Sequence, residues 1–217
     1  KRGEKKYGVI SRIIICGIRN MSPQISLKLA ELAIENKNHG VVGFDLAGPE
    51  KSFPAREHKK AFELIKQNNL KCTIHAGEAT GPSSIFQAIY DCGADRIGHG
   101  TRLSEDNKLL NTVKNKKIPL EICLTSNWQT KCVHSLKEHP LKSYYEMGII
   151  LSLNTDNRLI SNTTLSNEMI LANKLFGFSL QDFKSLTLMA MESAFIENSI
   201  KKKIKALILN QYEKNFV

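Results

Sequence analysis

The chain has 217 residues, of which 41% are hydrophobic and 24% charged, which suits one large domain with a substantial core. No apolar run approaches the roughly 20 residues of a membrane helix, and no apolar stretch follows the basic start, which argues against a signal peptide. The formal net charge of +10 would suit nucleic-acid binding, but only residues 201–203 form a lysine run, so we interpret it as solvated, lysine-rich helix faces.

Six apolar, β-branched runs alternate with segments of helical period along the chain. Strands are predicted over 9–16, 41–45, 72–75, 96–98, 118–123 and 149–153. Such alternation indicates right-handed βαβ units, and therefore an α/β fold with a parallel sheet. Residues 1–217 are predicted to form a single domain.

Helix boundaries also leave signals in the sequence. The first helix should begin after Ser22, and Ser104 should cap a later helix. Ser179 and Asp182 form a capping-box pattern at the start of a further helix. No strand-like run follows this point, so the chain should end in helices.

Five scattered cysteines occur without any C-x-x-C pair. This usage predicts reduced, buried thiols and a cytoplasmic location instead of a disulfide framework. No cysteine has an obvious neighbouring base, so catalysis by a thiol is not favoured.

Titratable side chains end four of the predicted strands. These are Asp45, His75, His99 and Asp156, and Asn127 follows the fifth strand. A doubly wound sheet would normally carry a glycine-rich turn after its first strand, which is missing here, whereas a (β/α)8 barrel gathers its site from many strand ends. We therefore predict a (β/α)8 TIM barrel.

Only six β/α units are visible, and a closed barrel needs eight. Because the chain ends in helices, the first two units are expected to precede Lys1. The chain would then be a partial barrel.

His75 and Glu78 lie three residues apart where a strand leaves the sheet. A lone histidine is more often a core residue, but an imidazole and a carboxylate from different strands, such as His75 and Asp156, can hold zinc. Zinc lowers the pKa of water toward about 7. Glu78 can then carry a proton, and His99 can hydrogen-bond the attacking hydroxide. A catalytic zinc usually has at least three protein ligands, so others are expected from outside the chain.

Five ordered blocks together resemble the adenosine deaminases. They are Asp-Leu-Ala-Gly at 45–48, His-Ala-Gly-Glu at 75–78, Arg-Ile-Gly-His-Gly at 96–100, Cys-Leu-Thr-Ser-Asn at 123–127 and Leu-Asn-Thr-Asp at 153–156. The resemblance implies a TIM barrel of the metal-dependent hydrolase type. Such an enzyme would contain zinc and, in purine salvage, convert adenosine, and with it 2′-deoxyadenosine, to inosine and ammonia. The chain would then be the C-terminal two-thirds of such an enzyme.

The resemblance also implies roles for the residues at the strand ends. His75 and Asp156 would be zinc ligands, Glu78 would donate a proton to the purine N1, and His99 would position the hydroxide.

Four further residues receive supporting roles from the same resemblance. Gly48 would contact the purine through its backbone, and Asn157 would lie against the purine N7 edge. Asp45 and Ser126 would support the ligands.

The chain departs from the family pattern at two points. The family's N-terminal His-x-His pair, which supplies two zinc ligands, does not occur here, in agreement with the expected missing units. Many members also have two adjacent aspartates where this chain has Asp156 and Asn157. An asparagine amide can donate to N7 without first being protonated.

Other functions stay open at this point. A related aminopurine deaminase is the nearest alternative, although adenine deaminases tend to have an aspartate where this chain has Gly98, and an AMP-type enzyme needs a phosphate site that the sequence does not reveal. A catalytically silent purine-binding protein and a nucleic-acid binder are the other classes. The favoured partner is a small molecule, with neither nucleic acid nor a membrane involved.

Overall fold

The computed structural model describes residues 2–215, in which six parallel strands alternate with helices. The strands are β1 (Ile13–Ile18), β2 (Val41–Ala47), β3 (Lys71–Ala76), β4 (Arg96–His99), β5 (Leu120–Ile122) and β6 (Leu151–Leu153). Their order in the sheet is β1-β2-β3-β4-β5-β6, and every neighbouring pair is parallel. A doubly wound sheet reverses its strand order, whereas this sheet winds in one direction as a barrel does. The predicted α/β class and parallel sheet are confirmed.

Helices follow the strands and cover the outer face of the sheet. They are α1 (Arg2–Tyr7), α2 (Pro23–Glu35), α3 (Lys59–Gln67), α4 (Pro82–Tyr90), α5 (Asn107–Asn115), α6 (Leu124–Gln129), α7 (Leu141–Glu146), α8 (Arg158–Ser161), α9 (Leu165–Phe176), α10 (Leu180–Ser193) and α11 (Asn198–Asn215). Short 3-10 turns lie at Lys37–His39, Ala55–His58, Thr101–Glu105 and Leu136–Glu138.

The predicted helix caps have mixed outcomes. Ser22 precedes α2, and Ser179 and Asp182 form the predicted capping box of α10. The cap predicted at Ser104 is wrong, because Ser104 lies within a 3-10 turn. Asp106 caps α5 instead, and its carboxylate accepts hydrogen bonds from the first turn of that helix.

The first strand begins later than predicted. Val9 and Ile10 are exposed, and β1 starts at Ile13, whose partner is Val41 at the start of β2. A β-branched run therefore became a strand only where a neighbouring strand could pair with it.

The hydrophobic core lies between the sheet and the helices. The rings of Phe44 on β2 and Phe62 on α3 meet edge to face with centroids 5.4 Å apart, and both side chains are fully buried. Burial of such a side chain stabilises the fold by about 1.5–3 kcal/mol. The opposite face of the sheet, which we call the interior face, carries polar side chains.

The alternation of side chains along β3 separates these two faces. Cys72 and Ile74 are buried in the core, while Thr73 and His75 point to the interior face. There, Thr73 Oγ1 donates a 2.8 Å hydrogen bond to Glu121 Oε2 of β5. The interior face thus collects the polar residues of several strands.

All five cysteines are free, as predicted, but the prediction that they are buried is wrong for Cys16 and Cys132, which are half-buried. Burial raises the pKa of Cys72 to about 12, and the same holds for Cys92. Neither thiol is therefore a nucleophile near neutral pH. None of the helices in the described part of the chain is long and apolar enough to cross a bilayer.

Candidate active site

His75 stands near the carboxyl end of β3 and is oriented by a carboxylate of the neighbouring strand. Its Nδ1 lies 3.1 Å from Asp45 Oδ1, which also accepts a 2.7 Å hydrogen bond from the backbone N–H of Leu46. An Nδ1–H donated to Asp45 leaves the lone pair of His75 Nε2 available for another partner.

The electrostatic field at His75 favours positive charge. Burial opposes protonation of the ring, but the Asp45 carboxylate, together with more distant carboxylates, raises the pKa of His75 to about 9. Glu121 and Asp156 act in the same direction. A cation bound beside this ring would meet the same field.

His99 ends β4 against the ring of His75. Gly98 lies opposite His75 in the register, and a Cβ there would stand 3.1 Å from His75 Cγ, so glycine leaves room for the ring. His99 follows with φ +63°, a left-handed backbone that interrupts the alternation of the strand. The two rings meet edge to face with centroids 5.1 Å apart.

Glu78 lies in the loop after β3 and approaches His99. Its Oε2 is 3.6 Å from His99 Nε2, and its Oε1 accepts a 2.9 Å hydrogen bond from Thr130 Oγ1. Burial lowers the pKa of His99 despite the opposing Glu78 carboxylate. A neutral imidazole therefore faces Glu78 near pH 7.

The loop that carries Glu78 is anchored by a buried glutamate. Glu50 Oε1 accepts a hydrogen bond from the backbone N–H of Gly77 at 2.6 Å. Glu50 Oε2 accepts from the N–H groups of Glu78 at 3.1 Å and Thr80 at 2.6 Å. One side chain thus satisfies three of the four backbone donors between Gly77 and Thr80.

Arg19 is a second buried residue that supports this loop. Its guanidinium is 1% exposed and donates to the backbone carbonyls of Phe53 and His75. Burial lowers the pKa of Arg19, and the nearby Glu50 carboxylate opposes this shift. Arg19 and Glu50 therefore form a buried, charged support for the loop after β3.

Asp156 follows β6 and is held by two donors. Ser126 Oγ donates to its Oδ2 and the backbone N–H of Asn157 donates to its Oδ1, both at 2.7 Å. Asp156 has φ +55°, so the turn presents its carboxylate from a left-handed backbone. The Asn157 side chain caps α8, because its Oδ1 accepts from Leu159 and Ile160 N–H.

Three of the predicted residues line a single cavity of about 420 Å³. They are His75, His99 and Asp156, and Glu121 and Leu165 lie in the same lining. The other predicted residues are connected to this cavity by the contacts above, except for Gly48. Gly48 follows β2 at the same end of the sheet, with φ +97°.

The donor chemistry at this cavity suits a zinc ion in part. The two donors predicted from the sequence, His75 Nε2 and the Asp156 carboxylate, belong to residues that both border it. Across residues 2–215, no group of three or more His, Cys, Asp or Glu side chains is arranged to hold a metal.

Three residues at the site were not predicted from the sequence, namely Glu50, Arg19 and His139. Glu50 stands in a loop after Gly48, where a carboxylate is normally solvated. His139 follows a 3-10 turn, where a histidine is commonly exposed, but it is buried and contacts Asn127. The partners of Arg19 and Glu50 lie 27 to 56 residues further along the chain, so local patterns carried little signal for them beyond the nearness of Glu50 to a motif.

Comparisons with known proteins agree with the resemblance. A family model described as "Adenosine deaminase" matches residues 1–211. The probable adenosine deaminase of Dictyostelium discoideum is 40% identical over 219 residues, which cover 97% of this chain and 28% of that protein. The adenosine deaminase of Mycobacterium ulcerans is 42% identical over 196 residues, covering 85% of this chain and 54% of that protein. The chain thus spans about half, or less, of the length of these relatives.

Solved structures are similar over almost the whole chain. The N6-methyl-AMP deaminase of Arabidopsis thaliana has a TM-score of 0.86 at 30% identity and covers 94% of this chain and 60% of its own. A zinc-bound amidohydrolase from Burkholderia ambifaria has a TM-score of 0.91 at 19% identity, covering 98% and 60%, and supports the fold alone. These likenesses confirm the predicted TIM-barrel class. By its sequence match and its fold, the chain belongs to the adenosine deaminase family.

Proposed function

We propose that the protein containing this chain catalyses the zinc-dependent hydrolytic deamination of adenosine and 2′-deoxyadenosine to inosine and ammonia, in cytoplasmic purine salvage. The observation that carries the proposal is the placement of His75, His99 and Asp156 around one cavity, with Glu78 in contact with His99. The names of the relatives that are 40% and 42% identical favour adenosine over other aminopurines.

Glu78 and His99 act on the purine and on the attacking oxygen. Addition of a water oxygen to C6 requires a proton at N1, which the Glu78 carboxyl supplies. His99 Nε2 lies 3.6 Å from Glu78 Oε2 and can hydrogen-bond the oxygen that adds to C6. Cleavage of the C6–N6 bond then releases ammonia, so one water molecule converts adenosine to inosine.

His75 and Asp156 are the zinc ligands that this chain would supply. Zinc, when bound, makes a water molecule acidic enough to yield a nucleophile at neutral pH. Asp45 orients the His75 ring, and Ser126 orients the Asp156 carboxylate. Two donors are fewer than a catalytic zinc normally has, so we propose that a His-x-His segment outside residues 1–217 supplies the others.

Gly48 and Asn157 would hold the purine. Gly48 has no side chain to block the approach of a ligand to its backbone. The Oδ1 of Asn157 already accepts from two N–H groups of α8, so its Nδ2 is the end left to donate to the purine N7.

The chain forms part of a single catalytic domain in this proposal. Within residues 2–215, β1 and β6 each pair with one strand only, so the sheet has two open edges. Two additional β/α units would close the barrel across these edges and cover the exposed N–H and C=O groups.

The test is to purify the intact natural protein with zinc and follow the ultraviolet change with adenosine, 2′-deoxyadenosine, adenine, AMP and N6-methyl-AMP. We expect turnover of the two nucleosides and no useful activity from residues 1–217 alone. Preference for AMP or N6-methyl-AMP would instead support the AMP-type alternative. The 30% identity to the Arabidopsis enzyme is the reason for testing these two nucleotides. Full activity and zinc loading of residues 1–217 alone would refute the account of the missing ligands.

A further inference from the structure

A series of buried, hydrogen-bonded polar side chains begins at Nδ1 of His99. Its members are Asn127, Thr101 and His139, and each is at most 3% exposed, as His99 is. These residues are not joined to the zinc ligands by any of the hydrogen bonds described above. Which atoms donate and which accept in these hydrogen bonds shows which ring nitrogen of each histidine carries the proton.

The donor and acceptor roles in this series of hydrogen bonds are fixed at its last member, His139. The backbone N–H of Leu141 donates to His139 Nδ1 at 3.1 Å. Because a backbone N–H can only donate, Nδ1 is the unprotonated nitrogen of this ring. Burial also lowers the pKa of His139 to about 3, so the ring is neutral and carries its proton on Nε2.

The amide of Asn127 links His139 to His99, and the donor at His139 decides which end of the amide faces His99. Asn127 Oδ1 lies 3.1 Å from both His139 Nε2 and Thr101 Oγ1, and both of these atoms donate to it. The other end of the amide, Nδ2, is therefore the group that lies 3.0 Å from His99 Nδ1. An amide nitrogen only donates, so His99 Nδ1 is an acceptor.

We propose that Asn127 and His139 are positioning residues that make Nδ1 of His99 an acceptor and so keep the ring proton on Nε2, the nitrogen that faces Glu78. The kinetic part of this inference rests on the proposed deaminase function. An N–H at this position stabilises negative charge on an attacking oxygen, whereas the other tautomer would present a lone pair and repel it. His99 is then a hydrogen-bond donor, and Glu78 is the residue that carries the proton.

The tautomer can be read directly by nitrogen NMR. The intact zinc-loaded protein is labelled with ¹⁵N-histidine, and the His99 resonances are assigned as those lost in a His99→Gln variant. We expect His99 Nδ1 at the chemical shift of an unprotonated ring nitrogen and Nε2 at that of a protonated one. A protonated Nδ1 in the wild-type protein would overturn the inference.

Asn127→Asp is the sharpest variant, because a carboxylate of the same shape can accept from His139 and Thr101 but cannot donate to His99. We expect the His99 proton to be found on Nδ1 and kcat to fall by about 10²–10³-fold, with KM little changed. Thr101→Val is the matched control, since His139 still orients the amide, and it should leave the tautomer unchanged. Wild-type kcat in Asn127→Asp would overturn the proposal.

A second pair of variants covers the case in which Asn127→Asp does not fold. His139→Gln keeps a donor toward Asn127, whereas His139→Phe removes it. The proposal expects Gln to preserve the His99 tautomer better than Phe, and equal spectra in the two variants would refute it. If the wild-type protein shows the expected tautomer but does not deaminate purines, the proposed function fails while the assignment of the proton stands.

Discussion

Replacing Glu50 with glutamine tests whether this buried carboxylate holds the catalytic loop. Glu50 accepts from Gly77 with Oε1 and from Glu78 and Thr80 with Oε2. An amide that turns its oxygen toward the Oε2 position keeps two of these hydrogen bonds. Its NH₂ group then faces the N–H of Gly77, so one hydrogen bond to a charged acceptor is lost.

The expected cost follows from that count. Losing one hydrogen bond to a charged group destabilises a protein by about 1.5–3 kcal/mol. At about 2–4 °C per kcal/mol for a domain of this size, the melting temperature should fall by roughly 3–12 °C. Because the loop carries Glu78, we also expect kcat to fall by about 10²-fold, as for a misplaced catalytic group.

Thermal unfolding by circular dichroism and steady-state deamination of adenosine, both on the intact protein, measure these effects. Glu31→Gln removes the same charge from an exposed position on α2 and serves as the control. If Glu50→Gln matched Glu31→Gln in both melting temperature and kcat, the three hydrogen bonds would not hold the loop, and the reasoning would be wrong.

Three further predictions concern the site and its surroundings. Glu78→Gln should reduce turnover by about 10²–10⁴-fold while purine binding measured by calorimetry persists, and near wild-type deamination would remove Glu78 from its role. His75→Ala and Asp156→Ala should each lower the zinc content measured by metal analysis, and a full complement in both would show that neither is a ligand. Burial lowers the pKa of His139 from 6.5 in the unfolded chain to about 3 in the folded one. Between pH 6.5 and about 3 the unfolded chain therefore binds a proton that the folded chain does not, and the free energy of unfolding decreases as the pH falls through this range. Urea midpoints of His139→Gln should therefore depend less steeply on pH there, and equal slopes would contradict the shift.

The sequence was most informative where side chains alternate and strands end. That His75, His99 and Asp156 border one cavity could be predicted because parallel strands bring their carboxyl ends to one edge of a sheet. The same logic placed all six strands, although β1 was predicted to start at Val9, which no strand pairs with. Strand boundaries depend on a partner that a local pattern does not contain.

Contacts between distant parts of the chain could not be predicted in this way. Glu50 binds backbone groups 27 to 30 residues further along, and apart from its nearness to the block at 45–48 nothing in its own neighbourhood distinguishes it from a solvated loop glutamate. Asn127 and His139 are similar, because their role depends on which atom of each ring or amide faces which neighbour. Such directions follow from the three-dimensional hydrogen-bond network alone.

The left-handed backbone at His99 and Asp156 has a thermodynamic consequence. A residue with a Cβ in this conformation costs about 1–2 kcal/mol, and glycine would adopt it freely. Substitution by glycine would thus relax the turn after β4 or β6 while deleting the imidazole or the carboxylate. The same substitution would remove the buried ring that Asn127 contacts, or the carboxylate that accepts from Ser126, so the contacts of these two side chains offset a backbone strain that falls on residues lining the cavity.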